Sequence, residues 1–144
     1  NNEWTAPQRV YIRRYSRKND GTKSSAYMSN DGSFIILSYS RWYNSEQSNL
    51  FVVWRKDNGT WSRPHQLKQL NTQYSEDTPF LSADNKTIYF ASNRTGKKNY
   101  NIYKATRTGE YWRDWTEPVL LSDTINSPQW DAYFKTNVKG SVAY

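Results

Sequence analysis

The stretch that decides the fold is SEDTPFLSADNKTIYFASNRTG, residues 75–96. It consists of an acidic pair, a short apolar run, a polar turn and a second apolar run that ends in Ser-Asn-Arg. Two apolar runs of strand length on either side of turn residues are typical of a β-hairpin. If this hairpin recurs along the chain, the sequence predicts a repeat protein.

A short anchor motif of tryptophan, two further residues and proline occurs three times. The copies are WTAP at 4–7, WSRP at 61–64 and WTEP at 115–118, so their tryptophans lie 57 and 54 residues apart. A regular spacing of this size is typical of propellers and solenoids. The hairpin at 75–96 is therefore predicted to be one copy of a unit of about 55 residues.

The anchors bring other residues of the copies into line. Asn71 matches Asn126, Asp77 matches Asp131, and FIILSYSR at 34–41 matches TIYFASNR. Residues that recur from copy to copy are predicted to be structural, because every unit has to fold. This set comprises Trp4, Trp61, Trp115, Pro7, Pro64, Pro118, Asp77, Asp131, Arg41 and Arg94.

The secondary structure inside a unit is predicted to be β-strand throughout. Segments such as AYMS, FIILSYS and NLFVVWR are short, rich in aromatic or β-branched residues, and bounded by Asn, Asp and Gly. The turns NDGS and DNGT contain the residues that accept the positive φ angles of tight hairpins. Each unit is expected to be a meander of three antiparallel strands with a fourth strand near the tryptophan anchor. AYFKT, residues 132–136, is expected to open the same strand in the third copy.

The apolar runs FIIL and LFVVW predict how the meanders are arranged. Consecutive apolar residues in a strand require cover on both faces of the sheet. Stacking between like neighbours gives that cover, as in the blades of a β-propeller. The expected fold is all-β: one partial β-propeller domain over 1–144, with a first blade and basic lead-in at 1–60, a second blade at 61–114 and an incomplete third at 115–144.

Composition limits the chemistry of the chain. It has seven Trp, twelve Tyr and five Phe residues, which supply a core although only 35% of residues are hydrophobic. The absence of cysteine excludes disulfides and thiol catalysis. No apolar run has the ~20 residues of a membrane helix, and the first residues do not resemble a secretion signal, so we expect any export signal to lie outside this sequence. The net charge of +7 favours acidic partners.

SEDTPFLSADNKTIYFASNR followed by NIYKATR, and again INSPQWDAYFKTNVKGSVAY, resembles the WD-like β-propeller repeat of TolB-type and OmpA-associated proteins. Such repeats are common in bacterial cell-envelope proteins, especially those of the Bacteroidetes. The resemblance implies an exported, periplasmic or outer-membrane-associated module without catalytic activity. It implies no cofactor and specifies no ligand.

The residue types with catalytic potential are each more simply explained by structure. Asp77 and Asp131 recur at one place, so we expect them to accept backbone N–H groups in the loop that enters the innermost strand. An arginine at the position of Arg41 and Arg94 is expected to pair with the acid of a neighbouring blade. The only histidine, His65, has no nucleophile motif or metal-ligand partner in the sequence. No catalytic, cofactor-binding or metal-binding residue is predicted.

Residues found in only one copy are the better candidates for binding a partner. The lead-in at 9–23 has six basic residues and one acid, and it is interpreted first as a charged edge strand and otherwise as a site for an acidic partner. The loops at 40–49 and 94–101 are expected to share one end of the array. The candidate partner-binding residues are Arg13, Arg14, Arg17, Lys18, Trp42, Tyr43, Lys97, Lys98 and Tyr100.

The function predicted from the sequence is a non-catalytic scaffold that makes protein contacts in the cell envelope, with further blades supplied by the same or another chain. The alternative is a carbohydrate-active propeller, either glycan-binding or a fragment of a glycoside hydrolase. Nucleic-acid binding is the least favoured class, although the basic charge makes it testable by salt dependence.

Overall fold

The computed structural model describes residues 5–15 and 19–144. Among these residues every regular element is a β-strand, and no helix long and apolar enough to cross a membrane occurs there. The all-β prediction is therefore confirmed. The eight strands are β1 (Ser24–Met28), β2 (Phe34–Tyr39), β3 (Asn49–Trp54), β4 (His65–Gln66), β5 (Glu76–Leu81), β6 (Thr87–Ser92), β7 (Asn101–Thr106) and β8 (Val119–Leu120).

The strands form two antiparallel sheets of four strands each. Sheet 1 has the order β1-β2-β3-β4, and sheet 2 has the order β5-β6-β7-β8. Within each sheet, every strand thus pairs with the next one along the chain, as hairpin connections require. The predicted meander of three strands with a fourth near the anchor is present in both sheets.

Two matching turns close the first hairpin of each sheet. In the turn before β2, the carboxylate of Asp31 accepts hydrogen bonds from the Ser29 hydroxyl at 2.6 Å and from the Ser33 N–H at 3.0 Å. Asp84 accepts the equivalent two bonds before β6, at 2.6 and 3.0 Å. The next residue has a positive φ in both turns, 68° at Gly32 and 58° at Asn85. Asparagine replaces glycine there because it also enters the left-handed region.

Both faces of the sheets are covered, as the continuous apolar runs predicted. Along β2, Ile36 packs between the two sheets, whereas its neighbours Ile35 and Leu37 pack on the opposite face of sheet 1. Strand β5 lies against β1, β2 and β3. The layer between the sheets contains Ile36, Leu50, Val52, Leu67, Leu70, Leu81, Ile88, Phe90, Tyr103, Ala105 and Trp115.

The tryptophan anchors occupy equivalent places in the two sheets. Trp61 forms a β-bridge with Arg55, and Trp115 forms one with Arg107. Each tryptophan therefore follows the third strand of its own sheet and precedes the fourth. The hydrogen-bonded sheets span 24–66 and 76–120. The predicted blade boundaries, which lie at the tryptophans, therefore separate the fourth strand of each sheet from the other three. Trp4 lies outside the described residues.

The three anchor prolines differ in how far they are buried. Pro64 and Pro118 are half-buried beside the fourth strands, whereas Pro7 is exposed. Pro64 and Pro118 directly precede β4 and β8, a place where a residue without an N–H group is compatible with an outer strand.

At its described residues, 9–15 and 19–23, the lead-in forms no strand, so the interpretation as an edge strand is wrong there. Residues 5–12 are irregular and 13–15 form a turn, in which the Tyr15 N–H donates to the Ile12 carbonyl at 3.1 Å. Ile12 and Tyr15 both pack on the outer face of sheet 1. A strand would direct residues three apart to opposite faces, whereas the turn brings both side chains onto the same apolar surface.

Residues 121–144 contain no strand longer than a single bridge, so the strand expected at 132–136 is not formed. Thr136 makes a single bridge to Ala143, and the backbones of Lys135 and Tyr144 exchange two hydrogen bonds at 3.1 and 2.9 Å. Phe134 nevertheless packs against the outer face of sheet 2. The segment covers that sheet, and a two-stranded ribbon of this length is marginal as a sheet of its own.

Candidate binding surface

One asparagine after each sheet holds the following loop against the third strand of that sheet, a contact that we call the asparagine clamp. The amide of Asn71 accepts from the Leu50 N–H at 2.7 Å and donates to the Leu50 carbonyl at 3.0 Å. Asn126 makes the same pair of bonds with Ile102, at 2.6 and 3.2 Å. The matched bonds confirm that Asn71 and Asn126 are equivalent. The first fixes the start of the loop that leads into β5, and the second fixes the start of 127–134.

Glu76, in the segment after Asn71, is a buried carboxylate that sequence analysis did not single out. Glu76 has no exposed surface, and it accepts hydrogen bonds from the Thr72 N–H at 3.0 Å and the Thr72 hydroxyl at 2.7 Å. It also accepts from the Ser92 hydroxyl at 3.1 Å and lies 3.7 Å from Arg94. Burial raises the pKa of Glu76, while the bonds from Thr72 and the charge of Arg94 oppose that rise. The network fixes the entry into β5.

Asp131 is the counterpart of Glu76, which corrects the alignment with Asp77 by one residue. Asp131 accepts from the Ser127 N–H at 2.8 Å and from the Ser127 hydroxyl at 2.9 Å. In the second and third copies, a hydroxyl residue four positions before the acid makes both bonds. This spacing, directly after the equivalent asparagines, is the sequence signal that identifies the pair.

Asp77 instead joins the two sheets. Its carboxylate accepts from the hydroxyl of Ser25 in β1 at 2.7 Å and from the N–H of Thr78 at 2.7 Å. The expectation that Asp77 and Asp131 accept backbone N–H groups is confirmed, although they do so at different positions of the repeat. Asp77 is a residue of one copy only, because the matched position in the third copy is Ala132.

The two recurring arginines lie over equivalent aromatic rings. The Arg94 guanidinium is 4.7 Å from the Tyr103 ring centroid and donates to the Leu70 carbonyl at 2.8 Å. The Arg41 guanidinium is 4.7 Å from the ring of Phe51. Because the acid paired with Arg94 is Glu76 of its own sheet, the expected pairing with a neighbouring blade is wrong for Arg94.

The predicted partner-binding residues are only partly exposed. Trp42 and Tyr43 are 73% and 89% exposed, and Lys97 and Lys98 are also exposed. Tyr100 is buried, which contradicts its assignment to a contact surface, because the third copy covers it. Arg13 and Arg14 are exposed. Arg17 and Lys18 lie outside the described residues.

Tyr100 supports a surface residue that sequence analysis missed. Its ring stacks on Trp130 with centroids 5.1 Å apart, and Trp130 remains 60% exposed. Lys23 places its ammonium 5.3 Å from the Trp130 ring and 3.6 Å from the carboxylate of Glu46. In the corrected alignment Trp130 matches Ser75. An aromatic ring present in one copy and absent from the other is therefore the sequence feature that could have identified Trp130 as a candidate binding residue.

These residues separate two adjoining clefts, of about 540 and 680 Å³, at the end of the sheets where β1 and β5 begin. We call the pair the Trp130 cleft; its walls share Lys23, Tyr100 and Trp130. The larger part is lined by the corresponding entry segments of the three copies, at 22–25, 77–78 and 132–133. Tyr133, with a positive φ of 60°, donates its N–H to the Thr78 hydroxyl at 3.2 Å.

The Trp130 cleft combines an exposed aromatic face, an ammonium group and a partly buried carboxylate, Asp77. This set can stack on a ring and form hydrogen bonds to its substituents. Among residues 5–15 and 19–144, no group of three His, Asp or Glu side chains is placed to hold a metal ion. Comparison of the chain with family models, with curated proteins and with solved structures finds no match.

Proposed function

We propose that the chain is part of a β-propeller whose two sheets are adjacent blades. Three observations support the proposal: each sheet has four antiparallel strands, the first strands β1 and β5 lie together, and apolar layers cover both faces of each sheet. Further blades come from the same protein or from another chain. Sedimentation tests the second source, because association of this chain gives a multiple of 17.1 kDa.

We propose that this propeller is a non-catalytic scaffold for protein contacts in the bacterial cell envelope. The observation that carries this function is the exposed Trp42-Tyr43 pair, in a loop at the same end of sheet 1 as the Trp130 cleft. Large exposed rings are common at the energetic centres of protein interfaces. The recurring carboxylates Glu76 and Asp131 are held by hydrogen bonds within their own loops, which suits a structural role. The envelope location follows from the resemblance of the repeat.

Photo-crosslinking tests the scaffold function. A photoreactive phenylalanine derivative replaces Tyr43 in the organism that encodes the chain, and the matched control replaces exposed Asp57 at the opposite end of β3. We expect a discrete crosslinked envelope protein from position 43 and none of that mass from position 57. Equal products from both positions, or no product from position 43, would contradict the proposal.

Glycan binding is the second candidate function, and the exposed face of Trp130 favours it. A pyranose ring can pack its C–H face on the indole while Lys23 and Asp77 meet its hydroxyl groups. In a fluorescence titration with β-linked glucose and N-acetylglucosamine oligomers, we expect Trp130→Ala to weaken binding about tenfold. Trp42→Ala serves as the control and leaves the affinity unchanged. Unsaturable signals for the wild type, or equal affinities for both variants, would exclude this function.

A further inference from the structure

A second groove, distinct from the Trp130 cleft, lies at the opposite end of the sheets. It has a volume of about 900 Å³ and separates the outer strands of sheet 1 from the 107–113 segment of sheet 2. Val52 and Leu67 at its base are buried in the layer between the sheets, whereas Tyr111 on its wall is exposed. A volume of this size accommodates a short ligand. We call it the Trp54 groove.

Two aromatic side chains of the Trp54 groove, Trp54 and His65, have no aromatic counterpart in sheet 2. The Trp54 ring lies 4.5 Å from the ring of His65, both in sheet 1. The corresponding positions in sheet 2 are Thr106 and Val119, which follow from the matched strand registers. Across the groove, Trp112 packs on Phe34 at 4.7 Å. Trp54 and Trp112 are partly buried and pack against the layer between the sheets, but sheet 2 has the same strand order without a ring at the position of Trp54.

The charges around the Trp54 groove are mainly positive. Its lining includes the three arginines Arg55, Arg107 and Arg113, against one acid, Glu110. Arg113 lies 3.7 Å from the neighbouring Asp114, and the Arg107 guanidinium lies 4.9 Å from the Trp112 ring. Within the part of the chain that the structure describes, no hydrogen bond or ion pair engages the guanidinium groups of Arg55 and Arg107. These groups are therefore available to a carboxylate.

We propose that the Trp54 groove binds a short acidic peptide segment of a partner protein, with one apolar side chain against the rings of Trp54 and Tyr111 and carboxylates on Arg55 and Arg107. Tyr111 is 63% exposed, so its ring is open to an apolar side chain of the peptide. The excess of positive charge in the lining favours a segment that carries Asp or Glu. The guanidinium groups form charge-assisted hydrogen bonds with carboxylates. The inference rests on the proposed scaffold function and gives the chemistry of one partner.

Selection from a random octapeptide library on the immobilised chain tests this inference. We expect the selected peptides to combine Asp or Glu with a large apolar residue and to bind more weakly as salt concentration rises. The double variant Arg55→Gln/Arg107→Gln should bind a selected peptide at least tenfold more weakly. Trp54→Thr, which introduces the residue found at the matched position of sheet 2, should also weaken it. Trp42→Ser, at the opposite end, is the control and should not.

Thermal unfolding of each variant verifies that it is folded before its affinity is interpreted. Failure to select any peptide, selection without acidic residues, or equal binding by the arginine variants would overturn the inference. A uronic-acid trimer bound with the same dependence on Arg55 and Arg107, while no acidic peptide is selected, would assign the groove to a glycan instead. Crosslinking at Tyr43 does not depend on these measurements. A negative peptide selection therefore contradicts the groove proposal alone, and a negative crosslinking result contradicts the scaffold function.

Discussion

We predict that Arg94→Met destabilises the fold, because it leaves the buried carboxylate of Glu76 without its cationic partner. In the native protein Glu76 is fully buried, Arg94 has a 15% exposed side chain, and their charged groups are 3.7 Å apart. Removing one partner of a fully buried pair costs about 3–5 kcal/mol. Because Arg94 is slightly exposed and the separation is long for a charged hydrogen bond, we expect the lower end, a loss of about 3 kcal/mol in the free energy of unfolding near pH 8.

The loss should depend on pH, and its sign follows from Glu76. Burial raises the pKa of Glu76, and Arg94 opposes the rise, so the variant raises that pKa further. Between the unfolded and folded pKa values the folded state then binds more protons, and stability falls as pH increases through this window. Below the unfolded pKa the carboxyl is neutral in both states, so the destabilisation should be smaller in acid than at pH 8.

Urea unfolding at several pH values measures both effects. Arg41→Met is the matched control, because exposed Arg41 lies over the Phe51 ring, as Arg94 lies over Tyr103. Loss of an exposed cation–π contact should cost about 0.5–1 kcal/mol and should not vary with the titration of Glu76. A loss below about 0.5 kcal/mol for Arg94→Met at pH 8, or a larger loss that is the same at all pH values, would refute the reasoning.

Three further predictions concern the repeated loops. Asn71→Ala leaves the buried N–H of Leu50 without a partner, whereas the Leu50 carbonyl still accepts from the Leu67 N–H at 3.0 Å. The variant should lower the unfolding free energy by about 1–3 kcal/mol, and an unchanged urea midpoint would contradict the clamp. Gly32 has a φ of 68° and open space around it, so Gly32→Ala should cost about 1 kcal/mol from backbone strain alone. Gly32→Asn should cost less, and equal losses would argue against strain. The Ser29 hydroxyl bond, above all, lowers the pKa of Asp31 to about 2, so Ser29→Ala should raise that pKa in an NMR titration. Since the folded pKa is depressed, the stabilisation is present above pH 4 and is lost as the pH falls towards 2, and an unshifted midpoint in the variant would exclude the bond as the cause.

The features that could be predicted from the sequence are those fixed by local chemistry. Consecutive apolar residues such as Ile35 and Ile36 indicated cover on both faces of one strand. The turn residues Gly32 and Asn85 marked the hairpins, because few residue types accept a positive φ. Spacing between the tryptophans predicted the repeat, and the matched bonds of Asn71 and Asn126 confirm it.

Errors arose where the outcome depends on contacts far apart in the chain. Asp131 was matched with Asp77 because the residue types are identical, whereas hydrogen-bond geometry equates it with Glu76. Tyr100 follows two lysines in sequence, yet Phe134 packs with it in the layer that buries it. The lead-in has the charge of an edge strand, but Ile12 and its neighbours cover sheet 1 without joining the ladder.

The repeat explains why the candidate binding residues lie where they do. A position that recurs, such as the asparagine clamp, is constrained because each unit needs the same backbone bonds. A position where the copies differ is not needed for the common backbone bonds, because the other copy forms them without that side chain. Trp130 matches Ser75 and Trp54 matches Thr106, and both tryptophans line clefts at opposite ends of the sheets. Trp130 is 60% exposed, and Trp54 is only partly buried against the layer between the sheets. Each therefore keeps ring surface for contact with something outside this chain, and the proposed partners are assigned to these two ends.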